Sequence, residues 1–435
     1  MHLTGHPFVD VGLAIASNIA RKKSIDDLTT DDLCLAVKEL ISKAIRQTET
    51  ESHKRIRSEL GNLKVLKDFW QNNPIMGKHV KSLPQYERVL EDLAHDTMSK
   101  RHGFCQICGS NKIIGHVNRS WFPLSGSPDS DPTTLPELGG KQICADCFRA
   151  VVVLPLGCLF CKTGPYFYHI LSLSLQVEAV AEARTTINTV FAAFANQGNM
   201  TIGNQQLKKT KTQLAGRLEL LEIVSGHLLW DHNQPGSLHT LSVLPSSGAT
   251  MIAFSNDKGA RLIQLHLPAQ ALEFFSYLKE RGKAVHNAFL NWAKKCEKDI
   301  DIFEKICDDI ELRCSLAPLV RTIVKNRTRN TPTLTKEEKI VIQDYETVAL
   351  QRKERFDTLE RLAKRVNEME EKYRNSFTKQ LGNTTTQKKF LELLRQFAKP
   401  DKTGFSISSG ELRTIATDSN PSEVISLLYL LCISE

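Results

Sequence analysis

The sequence predicts an α+β fold, predominantly helical, with a zinc-stapled N-terminal part, a mixed α/β region and a C-terminal helical bundle. Three observations lead there. Apolar residues recur at steps of three and four through most of the chain, the period of a helix face. Short apolar runs bounded by turn residues are confined to the middle. Six of the 11 cysteines fall in three C-x-x-C pairs within one segment. At 435 residues with 41% hydrophobic and 24% charged side chains, the chain has an ordinary globular composition and is too long for one domain. Four segments follow: helical 1–100, a zinc-binding module 101–165, a mixed region 166–268 and a helical bundle 269–435.

In chain order, Asp10 is placed to cap a helix through Val11–Ala20. Thr30, followed by Asp31 and Asp32, precedes the stripe Leu33, Ala36, Val37, Leu40, Ile41, Ala44 and Ile45, with acid in the first turn where the helix dipole favours it. Ile170 to about Phe194 reads as a further helix. Leu238–Leu244, Thr250–Phe254 and Arg261–Leu265 read as strands, joined by turns at Pro245–Gly248 and Asn256–Gly259. Beyond Pro268 the pattern is helical. Thr335 and Glu338 form a capping-box pattern. Val341, Tyr345, Val348, Arg352, Phe356, Leu359, Ala363, Val366, Met369, Tyr373 and Phe377 continue it at steps of three or four. That predicts one helix of about 40 residues, roughly 60 Å long. Two shorter helices follow, over Thr386–Lys399 and Ser422–Cys432.

Net charge is +8, from 57 Lys plus Arg against 49 Asp plus Glu. That permits a nucleic-acid partner without requiring one. There is no apolar run of about 18 residues and no basic-then-apolar leader at Met1–Pro7, so the expectation is a cytoplasmic chain with no membrane partner.

The cysteines carry the strongest signal. Cys105/Cys108, Cys144/Cys147 and Cys158/Cys161 each leave two residues between thiols. That spacing turns both sulfurs toward one point, and two such pairs complete a tetrahedral zinc site. Gly109 after the first pair allows a left-handed turn, and Cys144/Cys147 stand where an element could begin. These two pairs are the favoured ligands. Cys158/Cys161 sits in the apolar run Leu154–Gly157 and is either core or a substitute for one of them. Four thiolates leave no position for water, so the zinc is expected to be structural.

No phosphate-cradling loop, nucleophile elbow or H-E-x-x-H occurs, and the chain is expected not to be an enzyme. His95-Asp96 is the one dipeptide that suggests otherwise: an alternative reading is a metal-dependent phosphohydrolase or nuclease built around it. A protein-interaction scaffold without nucleic-acid contact is a further alternative. Three stretches could meet nucleic acid. Asn199, Asn204, Gln205, Gln206, Lys208, Lys209 and Lys211 lie in a glycine-punctuated run where amides could read base edges and lysines neutralise phosphates. Asn118 and Arg119 precede Trp121 and Phe122. Arg321, Lys325, Arg327 and Arg329 form a basic run, and Lys388, Lys389, Arg395, Lys399 and Lys402 a second.

The opening Gly5-His6-Pro7-Phe8-Val9-Asp10-Val11-Gly12 resembles the G-x-P-F-x-D-x-G start of the large subunits of type I-B CRISPR Cascade effectors, in the branch named for paired CXXC motifs. Cys105/Cys108 and Cys144/Cys147 match that branch's second hallmark; Cys158/Cys161 is not part of its pattern. The resemblance implies a non-catalytic subunit that recognises the protospacer-adjacent motif, aids duplex opening and stabilises the R-loop while the guide reads sequence. It implies as partners crRNA, target double-stranded DNA, the backbone, handle-binding and small Cascade subunits, and a downstream helicase-nuclease or transposition proteins. The family does not assign the motif-reading positions. Residue chemistry selects Gly198–Lys211, with Asn118 and Arg119 second.

Overall fold

The computed structural model describes residues 1–44, 83–117, 121–123, 141–160, 165–197, 245–255, 261–295, 300–327 and 333–434. They are predominantly helical with small antiparallel sheets, and they divide into two compact units, Met1–His266 and Leu267–Glu435.

Pro7 starts the first helix. Its fixed φ suits a first helical position, and its missing N–H would go unpaired there in any case. Helix α1 therefore spans Pro7–Ile19, four residues ahead of the start read from the sequence. Asp10 does not cap forward. Its fully buried carboxylate reaches back to the turn before Pro7, accepting from the Thr4 N–H (2.7 Å), the Thr4 hydroxyl (2.8 Å) and the Gly5 N–H (3.1 Å). Gly5 makes that turn at φ +78°, a conformation that suits glycine. Phe8 through Ser17 are all buried, so α1 is a core helix covered on every side.

Helix α2 spans Thr30–Ala44 and buries the expected stripe at Leu33, Ala36, Val37, Leu40 and Ile41. Its cap is Thr29: the Thr29 N–H donates to Asp32 at 2.9 Å, and the Asp32 N–H returns to the Thr29 hydroxyl at 3.3 Å. Helix α3 (Leu83–Ala94) packs on α2. Two small hairpins follow, β1 (Arg101–His102) with β2 (Lys112–Ile113) and β3 (Gly115–Val117) with β4 (Lys141–Ile143). Helix α4 (Ala145–Val152) then crosses α1 at backbone contact. A Cβ on Gly12 would lie 1.9 Å from the Ala150 carbonyl oxygen.

Strands β5 (Leu159–Phe160), β6 (Pro165–His169), β7 (Ala249–Ser255) and β8 (Arg261–Leu267) form one sheet in that order, and α5 (Leu173–Gln197) lies between β6 and β7 in sequence. The strand expected over Leu238–Leu244 lies outside the described residues. One core runs through helices, cysteine module and sheet. Phe8 meets Phe122, Phe167 and Phe254 edge-on, at ring separations of 6.2, 5.5 and 4.9 Å. Such pairs favour the offset or T-shaped arrangement. Arg184 of α5 ties Asn18 (3.0 Å) and Glu39 (2.8 Å) across it.

In the second unit, α6 (Ala269–Glu280), α7 (Lys283–Lys295), α8 (Ile300–Glu311) and α9 (Ala317–Arg327) lead to the expected capping box, Thr335 with Glu338. The single long helix does not form. It is divided into α10 (Lys336–Asp344), a π-turn at Tyr345–Ala349, α11 (Lys353–Asn367) and α12 (Glu371–Asn383). Gln351 at φ +57° and Glu370 at ψ 140° mark the breaks. A buried polar knot holds the first break. Arg355 binds Glu346, Glu423 (3.0 Å) and Asp418 (3.3 Å), and Ser315 donates to Glu346. The stripe is continuous in sequence because each short helix buries its share of it. After α13 (Gln387–Phe397), α14 (Pro400–Thr403) and α15 (Ser409–Ala416), the bundle closes on α16 (Pro421–Cys432). It is buried from Glu423 to Cys432 and packed by α9, α11, α12 and α13.

Candidate metal centre

Cys105 follows β1 and enters a tight knuckle. The Gly109 N–H donates to the Cys105 carbonyl at 3.0 Å, and the Cys105 N–H to the Ser110 carbonyl at 2.8 Å. Gly109 has φ +74° with open space around its Cα, so backbone conformation, not crowding, calls for glycine here. Gln106 docks the knuckle on β4: its N–H donates to the Gln142 carbonyl at 3.0 Å, and its side-chain oxygen accepts from the Gln142 N–H at 2.9 Å. Strand β4 then delivers Cys144 to the N-cap of α4, where its sulfur accepts from the Cys147 N–H at 3.4 Å. Both sulfurs of the second pair thus sit at the positive end of a helix, which favours thiolate.

The four sulfurs of Cys105, Cys108, Cys144 and Cys147 lie within 4.8 Å of one another, and Cys108 to Cys144 is 3.6 Å. A tetrahedral zinc with bonds of about 2.3 Å needs sulfurs about 3.8 Å apart. Three of the four residues are buried and Cys108 is half-buried. Bonds from Cys144 and Cys147 hold the Cys105 thiol well below its ordinary range, and a bond from Cys147 brings Cys108 down to about 7. The proton that Cys144 shares with Cys105 lifts Cys144 to about 12, and Cys147 is driven far up by its bonds to Cys105, Cys108 and Cys144. Four thiolates this close need a cation between them. The donor set, all soft sulfur with no open position, could hold a metal ion such as zinc and fits a structural one.

Cys158 stands apart. It is fully buried, and desolvation pushes its thiol up; Cys161 lies outside the described residues. Among the described residues, the four-cysteine group is the one set of three or more His, Cys, Asp or Glu side chains placed to hold a metal ion. His95 and Asp96 do not converge on a site. His95 is exposed beside Glu91 at 3.4 Å, and Asp96 pairs with Lys100 at 2.8 Å and with Arg149.

Arg149 was not singled out by sequence reasoning, although it fastens this region. Fully buried in α4, it donates to the Leu93 carbonyl at 2.8 Å, to Asp146 at 2.7 Å and to Asp96, clamping the end of α3 to the cysteine-bearing helix. Its sole signal was one cation entering the apolar run Ala150–Leu156. The aromatics near the cluster are packed: Trp121 stands edge-on to Phe148 at 5.6 Å, and Phe122 is buried against His6 and Phe8, with the Lys141 ammonium 5.4 Å from its ring.

Of the expected nucleic-acid residues, Asn118, Arg119, Asn199, Asn204, Gln205, Gln206, Lys208, Lys209, Lys211 and Arg329 lie outside the described residues, and Arg327 ends α9. Half-buried Arg321 and exposed Lys325 both reach the end of α12. Arg321 donates to the carbonyls of Leu381 (3.1 Å), Gly382 (2.6 Å) and Thr384 (3.1 Å), and Lys325 also binds Gly382. Both cations lie over the Tyr429 ring, at 5.3 and 5.4 Å. They bind carbonyls at the end of α12, one of which, that of Leu381, also accepts from the Thr384 N–H at 3.1 Å. Lys388, Lys389, Arg395, Lys399 and Lys402 are exposed. No helix among the described residues is long and apolar enough to cross a membrane. No family model, curated protein or solved structure matches the chain.

Proposed function

We propose that this chain is the non-catalytic large subunit of a crRNA-guided DNA-surveillance complex of the Cascade type. Its Cys105, Cys108, Cys144 and Cys147 bind one structural zinc. It recognises the protospacer-adjacent motif, aids duplex opening, steadies the displaced strand and docks the downstream effector. The observation that supports this reading is the meeting of the two motifs that carry the family resemblance. The Gly5–Gly12 motif builds the start of α1, and Gly12 seats α1 on α4, the helix whose first turn carries Cys144 and Cys147. Motifs about 130 residues apart in sequence are one piece of architecture, with the metal centre as its staple.

The test is purification with guide RNA and the remaining subunits. Expected are one equivalent of zinc per chain, lost in C105S/C108S, and ultraviolet cross-links from this chain to target duplex. Alanine at Asn199, Asn204 or Gln205 should reduce motif-dependent binding and leave non-specific binding unchanged. A complex that captures target duplex with no cross-link to this chain, or a chain that carries no metal, overturns the reading.

A further inference from the structure

We propose that the β1–β2 ribbon is a landing site for a single nucleic-acid strand, with Phe104 stacking on an unpaired base and Arg101 and Lys112 meeting the flanking phosphates. This deepens the nucleic-acid reading above by giving it a location among the described residues, and it rests on that reading without needing the guide complex.

No Asp or Glu occurs from Thr97 to Val117. Lys100 is held by Asp96 at 2.8 Å, which leaves Arg101 and Lys112 as the ribbon's available cations. Both are exposed, as are His102 and His116, and no described carboxylate pairs with Arg101 or Lys112. His102 and Lys112 are direct cross-strand partners, which sets their Cβ atoms about 5 Å apart on one face. The Arg101 guanidinium extends across Gly115: a Cβ there would meet its Nη2 at 2.7 Å. Arg101 pairs with Ile113 and leaves the opposite face of the ribbon from Lys112, so the two cations flank the ribbon on either side of its end.

Phe104 sits at the end of this ribbon and is 72% exposed, the most exposed aromatic side chain among the described residues. It is not on a loose loop. The Gly103 N–H donates to the Asn111 carbonyl at 3.3 Å on one side, the Cys105 N–H to the Ser110 carbonyl at 2.8 Å on the other, and Cys105 belongs to the sulfur cluster. A rigidly presented ring beside cations is the platform on which unpaired bases stack, and stacking tolerates any base because each has a π-face. A duplex keeps its bases stacked on one another, and a ring-free polyanion such as polyglutamate has nothing to stack on Phe104. Charge and aromatic together therefore select a single strand, read without sequence preference.

The test uses the full purified chain and fluorescently labelled strands of about twelve nucleotides, a length within the range of single-strand sites. The wild type should bind oligo-dT and oligo-dA alike. Phe104→Ala should weaken binding about tenfold while Phe104→Trp retains it. Arg101→Ala and Lys112→Ala should each lower the slope of log affinity against log salt by about 0.7. Because these side chains are exposed, the melting temperature should not move. Wild-type affinity in Phe104→Ala, no binding by the wild type, or polyglutamate binding as tightly as the strand each overturns the proposal. In all three cases, target capture by the assembled complex still reports separately on the function proposed above.

Discussion

Gly12 and Asp10 show how much of the first unit rests on single atoms. A methyl at residue 12 cannot be relieved by a rotamer change, because the group it meets is the Ala150 backbone carbonyl, 1.9 Å from the added Cβ. Gly12→Ala should destabilise the first unit by about 3 kcal/mol, the upper range for overpacking, read as a fall in the urea midpoint. Asp10 is poised between two effects. Burial works to raise its pKa, and the bonds from His169 (3.0 Å) and from the Thr4 N–H and hydroxyl outweigh that and hold the carboxyl low. A carboxyl lowered in the folded state contributes stability above its unfolded pKa and loses it as pH falls through the folded one. The contribution is therefore present at neutral pH and fades below about pH 4. Asp10→Asn should cost about 2 kcal/mol near neutrality and flatten the acid limb of a stability–pH curve. An unchanged acid limb contradicts this role.

At the level of elements, the break between α10 and α11 depends on Arg355 lying between Glu346 and Glu423, both nearly fully buried. Removing the cation leaves Glu346 without a charged partner, while Glu423 keeps Arg352, so Arg355→Ala should destabilise the second unit by about 3 kcal/mol, measurable by denaturant titration. A loss below about 1 kcal/mol would show that water or rearrangement replaces it. This junction also marks where the sequence stops being legible. The stripe from Val341 to Phe377 correctly gave a helical C-terminal region, since each apolar residue reports its own burial. Nothing in it distinguishes one straight helix from three bent ones, because the bend is decided by Glu423, Asp418 and Ser315, remote in sequence. The cysteine spacing was legible for the opposite reason. Each pair is local, and only the meeting of the pairs is tertiary. The contacts of Arg149 and the Gly12 crossing were not legible in sequence, since Leu93 and Asp96 lie more than 50 residues from Arg149 and Gly12 meets a backbone carbonyl that any residue would supply.

Across the whole molecule, the two units make metal removal a directed experiment. The sulfur cluster belongs to the first unit, while the second has a separate core centred on α16. With zinc bound as proposed, a chelator removes several kcal/mol from the first unit alone. Hydrogen exchange should then accelerate in peptides covering 141–153 and stay unchanged in those covering 421–432. Equal acceleration in both, or none in the first, contradicts the staple.

Helix α1 comes ahead in sequence of every element that packs against it. Phe8 finds its ring partners at 122, 167 and 254, and Gly12 its neighbour at 150. The ten buried positions of α1 therefore lack their full set of neighbours until the chain as far as Phe254 is available. Before then α1 is a largely apolar segment without cover, the kind of surface that aggregation exploits. The delay in covering α1 thereby becomes a determinant of folding yield, independent of how stable the finished protein is.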